Sequence, residues 1–256
     1  MLPRQPYPIL EHDDSPDAFI EPARIIKPID ISERCVLCFF QDVIAGLQAD
    51  GRLRPIYTLI SEIGENPVYE IDVNGERLAL AHPGVGAPLA AAFLDELVAL
   101  GCRKFIVCGG AGSLDQALTL GHLIVPDSAI RDEGTSYHYA PPSREILADP
   151  RGVVAVEAAL SARDLPFVRG KTWTTDAIYR ETPRRIAARR AEGCLTVEME
   201  AATFFAVAAF RGVALGQLLY CGDDLSGVEW DDRGWQGQTG TRRLVFDVAV
   251  EACLRL

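Results

Sequence analysis

No stretch of this 256-residue sequence approaches the ~20 consecutive apolar residues that a membrane-spanning helix needs. The opening residues Met1-Leu2-Pro3-Arg4-Gln5-Pro6 lack the apolar core of a secretion signal, so a cytoplasmic location is expected. Positive charge is scarce: 25 Lys and Arg stand against 36 Asp and Glu, a formal net charge of −11. That balance argues against nucleic-acid phosphates or an anionic membrane as partner and leaves small molecules. The cysteines number seven, odd and scattered through apolar segments, which argues against a disulfide framework and reads as buried thiols. Cys35 and Cys38 have C-x-x-C spacing without a second Cys or His pair nearby, so no metal site is expected. After residue 35 there is no Pro-, Gly- or Ser-rich spacer, no internal repeat and no low-complexity tract, so nothing divides the remainder into separate domains.

What is present is a large apolar fraction, 48%, ample for the core of one large α/β unit. Residues 1–34 carry six prolines and the acidic group Glu11-His12-Asp13-Asp14, and read as an extended arm laid over the surface or over a neighbouring subunit. From 35 onward strand and helix patterns alternate. Strands are expected at 35–40, 67–73, 77–81, 104–108, 120–126, 167–173 and 213–221, with Asn74-Gly75 as a two-residue hairpin turn. Helices are expected at 42–48, 89–100, 153–160, 182–191, 201–210 and 242–254, the last of them amphipathic and the 182–191 helix a solvated basic face. The resulting fold class is α/β, a single domain (35–256) with a central mixed β-sheet flanked by helices on both faces. Ligands then gather at loops beyond strand ends, here 83–88, 109–113, 174–180 and 222–227. Gly110-Ala111-Gly112 has Asp115 where a dinucleotide fingerprint needs its third glycine, so no cofactor is expected. The polar segment 131–141 is too long for a mere connector, and its His138 is a base, a ligand or a hydrogen-bonded structural residue.

The most informative stretch is Thr196-Val197-Glu198-Met199-Glu200-Ala201-Ala202, which opens the most apolar run of the chain with two carboxylates at its mouth. Thr196 as an N-cap would place Glu198 and Glu200 in the first helical turn, near the positive end of its dipole. A polyol held by the acids is the other reading, since carboxylates rarely enter a core without a partner.

Val197-Glu198-Met199-Glu200-Ala201 resembles the signature of the nucleoside phosphorylase and nucleosidase superfamily, purine and uridine phosphorylases included. Four more segments follow the same pattern in order: Gly84-Val85-Gly86-x-Pro88, Phe105 through Val125, Gly134-x-Ser136-x-His138-x-Ala140-Pro141, and Thr174-Thr175-Asp176-Ala177-Ile178-Tyr179. The resemblance implies that Glu200 holds the ribose hydroxyls, that Met199 packs on the sugar with Glu198 close by, and that Val85 borders the ribose. It implies Ile178 or Tyr179 as the wall against the base, and Asp223, with Asp224 as a close second, as the acid facing a purine N7. A counterpart of the glutamine and arginine that grip uracil is missing after Tyr179, which favours a purine.

The departures concern phosphate. The family's early Gly-Asp-Pro-x-Arg loop is replaced by Phe39-Phe40-Gln41-Asp42, an arginine lent between subunits falls near Gly64, and a further arginine with its Ser or Thr neighbour falls on Val107 and Gly110. Gly110 is expected to border the bound substrate. Arg131, Arg180 and the cluster at 184–190 remain as other sources of positive charge. The implied activity is cleavage of a nucleoside N-glycosidic bond, with water preferred over phosphate. Phosphorolysis through unusual phosphate ligands, or nucleoside binding without turnover, are the alternatives, and a homo-oligomer, dimer or hexamer, is expected.

Overall fold

Every residue from Cys35 to Cys38 is buried, so β1 (Arg34–Cys38) packs apolar side chains on both faces, as parallel strands covered by helices do. The structure, a computed structural model, describes residue 2 and residues 4–256. β1 lies between two parallel neighbours, β4 (Glu76–Ala81) and β5 (Lys104–Ser113). β4 ends an antiparallel meander with β2 (Leu53–Ser61) and β3 (Gly64–Val73), and both turn residues between β3 and β4, Asn74 and Gly75, have positive φ, as a tight hairpin requires. On the opposite edge of β5 runs β10 (Ala214–Asp224), parallel to it. β6 (Leu123–Asp132) joins β10 antiparallel, and then come β8 (Phe167–Thr175) and β9 (Cys194–Glu198). β9 returns to pair with Gly112 and Ser113 of β5. Five strands therefore close on themselves, while β1, β4, β3 and β2 extend from β5 as a wing and β7 (Glu145–Leu147) adds to β6.

α3 (Ala87–Leu100) packs with α6 (Ala201–Arg211), and α4 (Pro150–Ser161) packs with α7 (Thr239–Arg255) against β10 and β5, with α2 (Gln41–Ala49) beside α7. α6 is apolar on all sides and buried from Ala201 to Ala208, the expected state of such a helix. α4 approaches β10 so closely that a Cβ on Gly216 would lie 2.6 Å from the Gly152 carbonyl oxygen. Gly216→Ala is therefore expected to cost about 2–3 kcal/mol of unfolding free energy, because backbone rather than a pliable side chain blocks the methyl. A denaturant midpoint equal to that of the wild type would show that α4 can retreat.

The layout of β5 positions the site. Its pairing with β1 ends at Cys108, where the chain turns toward α2, and the same edge is taken up by β9 only at Gly112. Between those points neighbouring strands part, the arrangement that opens a crevice at strand ends.

Several sequence expectations change. Thr196 is no N-cap but lies inside β9, where its Oγ1 donates to Thr172 Oγ1 at 3.0 Å, and α6 starts at Ala201 with Glu200 in the N-cap position. β-branched Thr196 and Val197 suit the strand, and the helix is capped by Glu198 instead. The 109–113 stretch is strand, because pairing with β10 continues through Ala111 and Ser113. β2 has no clear alternation to betray it; it is an edge strand with a register shift at Pro55, where a missing N–H is tolerated. His138 is exposed and makes no side-chain hydrogen bond among the described residues. The 131–141 segment is organised instead by buried Arg131, which donates to Ser136 Oγ (2.9 Å), Ser143 Oγ (2.8 Å) and the carbonyls of Ala140 and Pro141.

The end of the proline-rich arm includes α1 (Pro22–Ile25) and is tied to this chain's own helices. Glu21 pairs with Arg211 at the end of α6 (2.8 Å), and the Ile29 N–H donates to the Leu100 carbonyl (3.1 Å). All seven cysteines are buried and free. No helix among the described residues is long and apolar enough to cross a membrane.

Candidate active site

Where β1 and β9 part from β5, a cavity of about 520 Å³ opens. Glu198 ends β9, Met199 links it to α6, and Glu200 stands at the helix entrance; all three line the cavity. Glu200 Oε1 accepts the Gly86 N–H at 2.6 Å, and Gly86 has φ of 87°, a conformation that brings this turn before α3 up to the carboxylate. Glu198 is committed to structure. Its Oε1 accepts from Thr174 Oγ1 (2.6 Å) and its Oε2 from the N–H groups of Glu200 (2.8 Å) and Ala201 (2.6 Å), which caps α6 and fixes the residue that follows. Burial pushes the pKa of Glu198 up against these bonds; burial and then the Glu198 charge push that of Glu200 up. Two like charges this close and this dry do not both persist at neutral pH.

Asp223 reaches the same cavity from the end of β10, within the irregularity between Cys221 and Asp224. Its Oδ2 accepts the Trp230 indole N–H at 2.7 Å. Room for it comes from Gly112, where a Cβ would lie 3.3 Å from Asp223 Oδ1 and 2.5 Å from a Leu225 methyl. Asp224 is spent elsewhere: it accepts from the Ser226 N–H (2.8 Å) and hydroxyl (2.6 Å) and pairs with Arg233. Burial works against its charge, but these partners hold its pKa below the usual carboxylate range. Glu181, unnoticed in the sequence, also lines the cavity, and burial, then the Asp223 charge, lift its pKa to about 7.

Of the other sequence candidates, Val85, Gly110 and Ile178 line the cavity as well. Tyr179 does not; it is 94% exposed. The cations proposed from sequence also lie elsewhere. Arg131 holds its own loop, Arg180 is exposed, Arg185 and Arg189 face Asp132, and Arg190 donates to the Ser226 carbonyl. The arginine that does line the cavity is Arg242, at the start of α7, and its Nη1 is 3.2 Å from Asp42. It shares the cavity lining with five acids: Asp42, Glu181, Glu198, Glu200 and Asp223. A third residue missed from sequence is Gln217, buried in β10 and also lining the cavity. Its signal was available, since it is the one polar side chain in the run 213–221. Arg242 and Glu181 gave no such signal, because each reads as the solvated face of a helix or loop.

A family model described as the phosphorylase superfamily matches residues 34–248. The chain is 28% identical over 160 residues to a guanosine phosphorylase of Halorubrum lacusprofundi, covering 62% of this chain and 66% of that protein, just under two thirds of its length. It is 28% identical over 203 residues to a uridine phosphorylase of Salmonella typhimurium, covering 73% of this chain and 79% of that one. Among solved structures, an AMP nucleosidase from Bacteroides thetaiotaomicron superposes with a TM-score of 0.70 at 21% identity over 87% of each chain. A uridine phosphorylase from Vibrio fischeri does so with a TM-score of 0.73 at 21% identity, over 90% of this chain and 95% of that one. At those identities the likeness is one of fold.

Proposed function

The chain belongs to the phosphorylase superfamily, and from that premise we propose that it cleaves the N-glycosidic bond of a purine-type nucleoside with water as the acceptor. One observation carries this reading: Glu200, Met199 and Val85 share a single cavity with Asp223 and Glu181. Glu200 holds the sugar hydroxyls, and Met199 and Val85 supply the sugar's apolar walls. Cleavage of the C–N bond leaves positive charge on the sugar, and a carboxylate fixed beside it stabilises that charge without reorganisation. At the other side Asp223 and Glu181 face the departing base. Two carboxyls there with one raised pKa give a group that keeps a proton near neutral pH and can hand it to a ring nitrogen, as a purine offers.

The same acids disfavour phosphate. A dianion entering beside five carboxyl-bearing side chains meets one arginine, which Asp42 already engages. Arg242 is nevertheless the observation that favours phosphorolysis as a second reading, since it would serve the acceptor if Asp42 released it. The test is incubation with guanosine, inosine, adenosine and uridine, with and without phosphate, and identification of the sugar product. Hydrolysis predicts free pentose at a rate that phosphate leaves unchanged, and faster release of purines than of uracil. Sugar 1-phosphate, formed only when phosphate is present, would overturn it.

A further inference from the structure

Gln217 is 1% exposed, lines the cavity, and has neither its Nε2 nor its Oε1 hydrogen-bonded by any group among the described residues. A buried amide left unpaired is costly, and native proteins seldom retain one without a use. We propose that this amide holds the acceptor water during cleavage of the glycosidic bond, an assignment that rests on the hydrolytic reading above.

Three observations place the amide on the acceptor's side. Asp223 and Gln217 lie on the same strand, six residues apart, which at ~3.3 Å per residue separates their backbones by roughly 20 Å. A base held at Asp223 therefore has Gln217 at the far end of the cavity. A nucleophile that displaces the base attacks the anomeric carbon from the opposite side, so the far end is where it must wait. Second, Gln217 stands in register with Val107 on β5, and the next positions along, Leu219 and Gly109, face Phe39, so no charged side chain adjoins it on these strands. Third, the amide itself is neutral, with two N–H donors and a carbonyl acceptor. It matches water, which both donates and accepts, and has nothing to neutralise a dianion.

In the reaction the water oxygen forms a bond to the anomeric carbon as the carbon–nitrogen bond breaks, with its electron pair leaving on the base. One water proton stays on the new sugar hydroxyl and the other balances the proton gained by the base nitrogen. Gln217 neither takes nor gives a proton. It is a positioning residue, aligning an oxygen lone pair with the anomeric carbon.

The test compares Gln217→Leu and Gln217→Ala with the wild type on the purine nucleoside that it hydrolyses. Gln217→Leu keeps the volume and removes the amide. It is expected to lower kcat about 10–30-fold with KM unchanged and with thermal stability equal or higher, since an unpaired polar group has gone. Gln217→Ala clears space beside the sugar. With methanol added to the assay it is expected to raise the ratio of methyl pentoside to pentose at least threefold, a ratio that does not depend on how much protein is folded. Unchanged kcat in Gln217→Leu, together with an unchanged product ratio in Gln217→Ala, would overturn the assignment. So would a tenfold rise in KM at constant kcat, which would mean that the amide touches the nucleoside. Failure of the hydrolytic reading is recognised separately, in the wild type alone, as turnover that requires phosphate.

Discussion

Glu200→Gln is expected to lower nucleoside turnover by about 10²–10³-fold, the loss typical of removing one fixed electrostatic partner of a transition state. The amide keeps the shape and can still bond a hydroxyl, so KM should change less than kcat. What it loses is the negative charge that the developing sugar cation needs. Because burial and the neighbouring Glu198 charge raise the Glu200 pKa, ionisation comes late in the titration. Wild-type kcat should therefore climb with pH on its acid side, and the variant's profile should lose that climb. Stability moves the other way. A carboxyl whose folded pKa lies above its unfolded value of 4.5 contributes fully below the unfolded value and loses that contribution as pH rises through the folded one. The variant has nothing to deprotonate, so its melting temperature relative to the wild type should rise between pH 5 and pH 8. A constant difference in melting temperature, or a kcat within twofold of the wild type, would remove Glu200 from the centre of the site.

How much of this was legible in sequence differs by residue, for physical reasons. Glu198, Met199 and Glu200 stand out because acids at the mouth of an apolar run conflict with simple burial, and such conflicts mark sites. Sequence could not divide their labour: only the three hydrogen bonds to Glu198 show it to be the helix cap, leaving Glu200 to face the cavity. The alternation of strands and helices gave the sheet, but not the closure of β5, β10, β6, β8 and β9 into a ring, because register and long-range pairing have no local signature. The glycines at 109–112 read as a turn, whereas they keep a strand bare so that Tyr220, Leu225 and Asp223 can approach it. Arg242 and Asp42 meet across two hundred positions, and no pattern in either neighbourhood announces the pair.

The acid pair at the base end makes the sharper prediction. Asp223→Asn should slow release of a purine by about 10²–10³-fold, because the charge that helps Glu181 keep its proton and an acceptor facing the base are lost together, yet scarcely affect a p-nitrophenyl riboside, whose leaving group departs without a proton. Loss on both substrates alike would mean that Asp223 shapes the pocket rather than assisting the base. The variant should also change its partner. Burial comes first in raising Glu181 to about 7, and the Asp223 charge adds to it. Neutral Asn removes that second cause, so the Glu181 carboxyl should titrate lower and the alkaline fall in rate should shift toward acid relative to the wild type. Glu181→Gln tests the same link from the other side, because the proton it carries is the one lost as pH rises. In that variant the alkaline fall disappears and purine turnover drops by about tenfold, while p-nitrophenyl riboside cleavage holds. If the alkaline limb survives Glu181→Gln unchanged, the proton reaches the base by another route, and the two carboxyls act only through their charge.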